Sequence, residues 1–159
     1  MLWICLPTNL EAVPTARPSA SVSICIPKSY TDGYTLKLIN NFFAMTTACA
    51  MSEAFAMADL AGLERKTLYD VMSAGPLKSG MMDFIKAGAV DNDPGQLAFS
   101  VANGLKDVGY YSNMADDFRV PSFISPAVKN TMSLANATGW GENMVPELVD
   151  FMAKIFADK

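Results

Sequence analysis

Histidine is absent from this 159-residue sequence, and cysteine is scarce, with only Cys5, Cys25 and Cys49. Without histidine the chain cannot form the Ser-His-Asp or Cys-His nucleophile systems, and it lacks a common ligand of zinc. Three dispersed cysteines without C-x-x-C spacing predict neither a disulfide framework nor a zinc site. We therefore expect free thiols and no metal site. Because no signal-peptide pattern is visible, we also expect a cytoplasmic location.

Charge is also sparse, since charged residues make up 18% of the sequence and the net charge is −4. This acidic balance argues against nucleic acid and anionic membrane surfaces as partners. The phosphate-binding patterns G-x-G-x-x-G and G-x-x-x-x-G-K-[ST] are missing, so the sequence does not indicate a nucleotide-binding fold of its own. Hydrophobic residues, at 51%, instead predict one well-filled globular domain.

The apolar stretch at 42–58, FFAMTTACAMSEAFAMA, raises the alternative of a membrane-spanning helix. Glu53 interrupts this stretch and its ends lack basic residues, and an internal glutamate costs several kcal/mol in lipid. We therefore interpret the stretch as a buried helix of a globular protein. We expect Glu53 to have a structural partner, through either a hydrogen bond or an ion pair.

Residues 1–31 differ in character from residues 32–159, and the second part is predicted to be all-α. The first part contains four prolines and is expected to be irregular or partly disordered, with one short strand at 21–26. The second part begins with a predicted helix of about 29 residues, from Gly33 to Ala61, which Gly62 ends. Further helices are predicted at 65–74, 79–88, 93–118, 125–139 and 146–157.

Lys37 and Asn41 are four residues apart, so they lie on one face of the first helix, and Gly33 lies one turn earlier. A lysine between leucines is expected to be partly desolvated, which prepares it to exchange a proton near neutral pH. Glycine would let a ligand approach the backbone closely. The alternative is a lysine that extends to solvent at a helix end, with Asn40 and Asn41 as a polar cap.

A second group of polar residues follows Asp93. Phe99, Asn103, Lys106 and Tyr110 are spaced to share one stripe of the predicted helix, and Asp107 could hold another group in place. The alternative is a solvated face in which Lys106 and Asp107 have no ligand. The glycine-rich turn at 139–143, GWGEN, is interpreted as a helix end and a loop.

The order and spacing of these motifs resemble the C-terminal domain of the β-hydroxyacid dehydrogenases. That family includes 3-hydroxyisobutyrate dehydrogenase, tartronate semialdehyde reductase and, more distantly, 6-phosphogluconate dehydrogenase. The resemblance covers about residues 32–156. The segments that carry it are GYTLKLINN at 33–41, Glu53-Ala54, LAGLE at 60–64, FSVANGLKDVGYYSNMA at 99–115 and GWGENMVPELVDF at 139–151.

The resemblance implies hydride transfer between NAD or NADP and a small 3-hydroxy acid or its semialdehyde. It also implies that this helical domain builds a homodimer. Lys37 would be the catalytic acid and base. The substrate would be bound by Asn41, Gly33 and Lys106, the cofactor by Lys106 and Phe99, with Asp107 and Asn40 in supporting positions.

The sequence departs from the family pattern at its N-terminal end. About thirty residues that match nothing in the family stand where its Rossmann domain would be, and Thr31 stands where a second glycine usually precedes Gly33. We therefore expect a truncated or frame-shifted gene product, or an excised domain. Such a chain is expected to have weak or no dehydrogenase activity alone.

Two other functions stay open at this point. The chain is a non-catalytic helical oligomerisation module if its apolar first helix packs against a partner subunit. With 11 methionines, it is alternatively a methionine-rich helical bundle that binds an apolar ligand.

Overall fold

The computed structural model describes residues 30–158, which are helical and contain no β-strand. The predicted all-α fold is confirmed. Residues 1–29, with the predicted strand at 21–26, lie outside the described residues. Two 3-10 helices, at Pro94–Leu97 and Val145–Glu147, and a π-helix at Asn136–Trp140 accompany the α-helices. These helices are α1 Tyr30–Leu60, α2 Arg65–Ser73, α3 Gly80–Ala89, α4 Val101–Asp117, α5 Ser125–Ala135 and α6 Leu148–Ala157.

Helix α1 is 31 residues long and ends as its sequence predicts. Gly62 has a φ of +72°, a left-handed conformation that glycine adopts without steric cost. The amide of Leu63 then donates to the carbonyl of Ala58 at 2.9 Å, which satisfies a backbone acceptor of the last turn. The chain consequently turns back at this point, so that α2 and α3 can pack near the end of α1.

One side of α1 forms the centre of the core, where Met45, Ala48 and Phe55 are fully buried. Helices α3, α4 and α6 pack against this side. The opposite side is open, and Phe43 is 70% exposed there. The expectation of a buried helix therefore holds for one face of α1 and not for the other.

The helix predicted over 93–118 is wrong as a single element. The backbone leaves the helical conformation after a short 3-10 helix, and α4 begins only at Val101. The amide of Val101 donates to the carbonyl of Asn143, and the amide of Val145 donates to the carbonyl of Phe99, each at 2.9 Å. This pairing with a distant segment competes with continued helix and explains the break.

At the end of α1, a group that we call the Arg65 cluster joins α2, to which Arg65 belongs, with three other helices. The guanidinium of Arg65 donates to both carboxylate oxygens of Asp59, to the carboxylate of Asp150 at 2.8 Å and to the carbonyl of Ala89 at 3.1 Å. Its shortest contact, with Asp59, is 2.7 Å. Because these partners belong to α1, α6 and α3, the cluster fixes how those helices meet.

The side chain of Glu53 is exposed, and the ion pairs among residues 30–158 do not include it. The structural partner predicted for this carboxylate is therefore not found among the described residues. Within the same described range, no helix has both the length and the apolarity needed to cross a lipid bilayer.

Candidate functional site

Helices α1 and α4 meet closely, and we call their contact the α1–α4 seam. A methyl group added at Gly104 would lie 3.0 Å from Sδ of Met45 and 3.1 Å from Cε of Met132, so the glycine allows the close approach. Nearby, the rings of Phe42 and Tyr111 stack with centroids 4.0 Å apart and an angle of 8° between planes. These contacts set the position of the polar residues at the seam.

Three side chains form the Lys37 cluster at this seam: Lys37 and Asn41 from α1, and Asp107 from α4. Nδ2 of Asn41 donates to Oδ2 of Asp107 at 2.7 Å, and this hydrogen bond is buried. Nζ of Lys37 lies 3.4 Å from Oδ1 and 3.3 Å from Oδ2 of the same carboxylate. The one-turn spacing of Lys37 and Asn41 therefore brings both side chains to one acid.

The cluster combines a buried acid with a partly open base. The Asp107 side chain is 3% exposed, whereas that of Lys37 is 35% exposed. A buried carboxylate is stabilised only when cations or hydrogen-bond donors compensate its desolvation, and Asp107 has one of each. An ammonium group has three donors, and Lys37 directs its described contacts to one carboxylate. The ammonium of Lys37 can therefore direct its remaining N–H groups toward solvent, while the carboxylate of Asp107 holds it from the buried side.

Other predicted site residues on α1 and α4 are exposed. Lys106 and Asn103 are exposed, and Nζ of Lys106 is 3.5 Å from Oδ1 of Asn103, a long contact. Asn40 is exposed next to Asn41. Gly33 is also exposed, and an added methyl group would meet nothing within 4 Å there, so packing among the described residues does not require glycine. Lys106 is thus an exposed cation that directly precedes Asp107 in α4.

Phe99 is not on the stripe that the sequence predicts. It precedes α4 and lies in the hydrophobic core, 7% exposed, whereas Asn103, Lys106 and Tyr110 are exposed on the helix. The physical reason is the backbone pairing of Phe99 with Val145, which ends the helical conformation before α4. The cofactor contact that the resemblance implies for Phe99 stays a prediction.

Gly104 and the Phe42–Tyr111 stack are parts of the site that sequence reasoning missed. The available signal was weak: Gly104 lies three residues before Asp107, where glycine lowers helix propensity. A glycine kept inside a helix often marks a close approach by another element. Nothing local identifies Met45 and Met132 as the groups that approach it.

The comparisons with known proteins agree with the observed fold. A sequence-family model described as the NAD-binding region of NADP-dependent 3-hydroxyisobutyrate dehydrogenase matches residues 31–151. A 3-hydroxyisobutyrate dehydrogenase from Salmonella typhimurium superposes with a TM-score of 0.67 and 25% sequence identity. The match covers 74% of this chain and 41% of that protein.

A second solved structure supports the fold alone. It is the 3-hydroxyisobutyrate dehydrogenase of Mycobacterium tuberculosis with L-serine, which superposes with a TM-score of 0.59 and 17% identity. The match covers 74% of this chain and 42% of that protein, so the chain spans about two fifths of the length of both relatives. No curated protein sequence matches the chain.

Proposed function

We propose a function that follows from the family to which the chain belongs, the NAD-binding region of NADP-dependent 3-hydroxyisobutyrate dehydrogenase. In this proposal, residues 32–159 are the substrate-handling and dimer-forming domain of an NAD(P)-dependent 3-hydroxyacid dehydrogenase. The substrate is a small 3-hydroxy acid or its semialdehyde. The observation that carries the proposal is the Lys37 cluster, in which a partly open ammonium and an amide share one buried carboxylate.

Lys37 is the proton-transfer residue in this proposal. As an ammonium it donates a proton to the carbonyl oxygen of a semialdehyde during reduction, and as an amine it takes the hydroxyl proton during oxidation. Asp107 is a positioning residue, because its contacts with Lys37 and Asn41 fix both side chains from the buried side. A bound nicotinamide would supply or accept the hydride.

Asn41 and Lys106 bind and orient the substrate. Asn41 is 3% exposed and uses one amide N–H for Asp107, so in this proposal a substrate hydroxyl or carboxylate meets its carbonyl oxygen or second N–H by entering the seam. The exposed ammonium of Lys106 is suited to a substrate carboxylate or to an anionic group of the cofactor. Gly33 and Asn40 border this surface, where they are exposed.

The described residues fit the reactive end of a dinucleotide and not the whole molecule. They offer Lys106 next to the Lys37 cluster, but residues 30–158 include no sheet, and the sequence has no G-x-G-x-x-G pattern. Dinucleotides are commonly held at that pattern, between a strand and a helix N-terminus. We therefore propose that a separate nucleotide-binding domain completes the site, and we expect little or no turnover without it.

The test combines the full chain with a separately expressed nucleotide-binding portion of the Salmonella relative. Turnover of 3-hydroxyisobutyrate is followed through the absorbance of the reduced nicotinamide, with NAD and with NADP. We expect Lys37→Ala to lower kcat by about 10²- to 10⁴-fold, the usual range for a positioned acid and base. Lys129→Ala, which removes an exposed lysine of α5, is the matched control. Equal turnover of the two variants would contradict the catalytic role of Lys37.

A second function is favoured by the open side of α1. Leu36, Ile39, Phe43 and Met57 are large apolar residues that are about half exposed or more. Large exposed apolar patches commonly mark contacts with other proteins. The alternative is thus a helical oligomerisation module without catalysis. This alternative would be favoured if the chain formed a stable homodimer and its mixture with the nucleotide-binding portion showed no turnover.

A further inference from the structure

The contacts that α1 makes with α4 do not all lie on one line. Asn41 and Met45 are four residues apart, so they share one stripe of α1, and both lie against α4. Phe42 is offset from Asn41 by about 100° around the helix, since one turn contains about 3.6 residues. The Phe42–Tyr111 stack therefore joins α1 to α4 beside this stripe and not on it.

Contacts on a single stripe leave a local roll of this end of α1 about that stripe as the least opposed motion. The tip of a side chain lies roughly 5 Å from the helix axis, so a roll of about 10° moves it by about 1 Å. The ammonium of Lys37 is 3.3 Å from Oδ2 of Asp107. A shift of about 1 Å away from the carboxylate would take this pair beyond the roughly 4 Å at which an ion pair is counted.

The stack opposes this roll because it lies off the stripe. A roll about the stripe moves the ring of Phe42 toward α4 or away from it. The ring of Tyr111 faces it there, with centroids 4.0 Å apart and planes inclined by 8°. One direction of roll presses the rings together and the other opens a gap between them, and close-packed side chains tolerate neither without cost.

The needs of the hydrophobic core do not explain the stack. Both rings are partly exposed, and neither belongs to the buried core that the described residues form. Phe55, by contrast, is a core aromatic of α1 that is 1% exposed. The position of the stack agrees instead with a role at the seam, since Phe42 directly follows Asn41 and Tyr111 lies one turn after Asp107.

We propose that the Phe42–Tyr111 stack positions the Lys37 cluster. It fixes the roll of α1 at which Lys37 and Asn41 both reach the carboxylate of Asp107. Neither ring contacts a reactant, and both act through the residues beside them, so the two aromatic residues are positioning residues. The inference concerns the geometry of the cluster, and only its consequence for turnover rests on the catalytic function proposed above.

Proton transfer is sensitive to placement on this scale. A general acid must lie within hydrogen-bond distance, about 2.6–3.2 Å, of the atom that it protonates. A misplacement of about 1 Å can lower a rate by about 10²-fold. Loss of the stack is therefore expected to lower turnover even though the rings touch neither the substrate nor the nicotinamide.

The first experiment measures the position of Lys37 without catalysis. The full chain is acetylated with a limiting amount of acetic anhydride, and the modification of each lysine is quantified by mass spectrometry. Lys86 is the internal reference, because it is also ion-paired, with Asp91, and its side chain is 27% exposed against 35% for Lys37. A general loosening of the fold would expose both lysines, whereas a loss of positioning at the seam affects Lys37 alone.

Phe42→Leu removes one ring and keeps an apolar side chain at the seam. We expect the ratio of Lys37 to Lys86 acetylation to rise about threefold, the size expected when a partly exposed ion pair is lost. Tyr111→Leu should raise the ratio equally, and the double variant should raise it no further, because the two rings act as one unit. Phe123→Leu is the matched control, since Phe123 is 85% exposed and follows α4.

A conservative variant separates the ring of Tyr111 from its hydroxyl group. Tyr111→Phe keeps the stack and should leave the acetylation ratio unchanged. In the mixture with the nucleotide-binding portion, Tyr111→Leu is expected to lower kcat by at least about tenfold. Tyr111→Phe should retain the kcat of the unsubstituted chain.

Three results would overturn the inference. The stack does not position Lys37 if Phe42→Leu and Tyr111→Leu both leave the acetylation ratio unchanged. It holds the whole fold rather than the cluster if acetylation of Lys86 rises equally. The hydroxyl group and not the stack is responsible if Tyr111→Phe has the effect of Tyr111→Leu.

Failure of the catalytic function would look different. If Lys37→Ala left turnover unchanged, the function proposed for Lys37 would be wrong, while the acetylation ratio would still decide whether the stack positions this lysine. If Lys37→Ala lowered turnover and the loss of either ring changed neither turnover nor acetylation, the catalytic function would remain and the positioning role would be wrong.

Discussion

The Lys37 cluster and the Arg65 cluster lie at opposite ends of α1. They differ in the number and length of the contacts that each cation makes with acceptors of the chain. Arg65 contacts two carboxylates and one carbonyl, with contacts of 2.7 Å to Asp59 and 2.8 Å to Asp150. Lys37 has one carboxylate partner, at 3.3 Å. The first arrangement fits a structural clamp, and the second leaves an ammonium available to another molecule.

The electrostatic environment follows the same division. The pKa of Arg65 is raised above its ordinary value, chiefly by its hydrogen bond with Asp59, so this guanidinium stays charged at any pH that proteins tolerate. Lysine, unlike arginine, can lose its proton in a suitable environment, which is why it serves as an acid and base. The choice of lysine at the open cluster and arginine at the closed one therefore agrees with two different roles.

The largest effect is expected from removing the acid that the Lys37 cluster shares. Asp107→Ala leaves the amide of Asn41 and the ammonium of Lys37 without their common partner. We expect the free energy of unfolding to fall by about 2–3 kcal/mol, less than for a fully buried pair because Lys37 is partly solvated. Asp150→Ala is the matched change in the Arg65 cluster, and there we expect a loss below about 1 kcal/mol.

Urea unfolding measures both variants under the same conditions. The proposed difference between the two clusters would be contradicted if Asp150→Ala lowered the free energy of unfolding as much as Asp107→Ala. The buried carboxylate at the α1–α4 seam would then contribute no more to the free energy of unfolding than one at the surface.

A smaller effect is expected from widening the α1–α4 seam. Gly104→Val introduces methyl groups against Met45 and Met132, and overpacking of this kind typically costs about 1–3 kcal/mol. Gly109→Val makes the same substitution in the same helix at a position where an added methyl group meets nothing within 4 Å. The difference between their free energies of unfolding therefore isolates packing from helix propensity. If the two valines had equal effects, close approach at Gly104 would not hold the seam.

An effect smaller than that of Gly104→Val is expected from a conservative change in the Arg65 cluster. Arg65→Lys keeps the charge but loses the paired contact with Asp59, so we expect a loss of about 1 kcal/mol that shrinks in high salt. Thermal unfolding at low and high ionic strength measures it. Lys66→Ala, which removes an exposed pair with Asp70, is the control and should change stability by less than about 0.5 kcal/mol. An equal loss in both variants would contradict a clamp at Arg65.

Local patterns in the sequence predicted the helices and the spacing of Lys37 and Asn41, because both depend on the period of one helix. Local patterns did not predict the break before α4, since the paired segment around Asn143 is about forty residues away. The same limit applies to Asp107, whose partners are 66 and 70 residues distant. Its neighbour Lys106 indicated a site, but only the fold identifies which groups the acid contacts.

Glu53 illustrates a different limit. Its position in an apolar stretch predicts burial and a partner, yet the side chain is exposed in one copy of the chain. A helix that is apolar on every side gives no periodic signal for which face the chain itself covers. The sequence therefore predicts that α1 is apolar. The structure is needed to distinguish the face of α1 that the other helices cover from the face that stays exposed.

The stack of Phe42 on Tyr111 has a consequence for how the site can move. The two ring faces cover each other, so separating α1 from α4 would expose both rings to water. The ammonium can instead move by torsions of the four-carbon lysine stem, on the picosecond-to-nanosecond scale of exposed side chains, without separation of the two helices. A molecule that reaches the Lys37 ammonium would therefore meet it at the surface, with the packing beneath it unchanged.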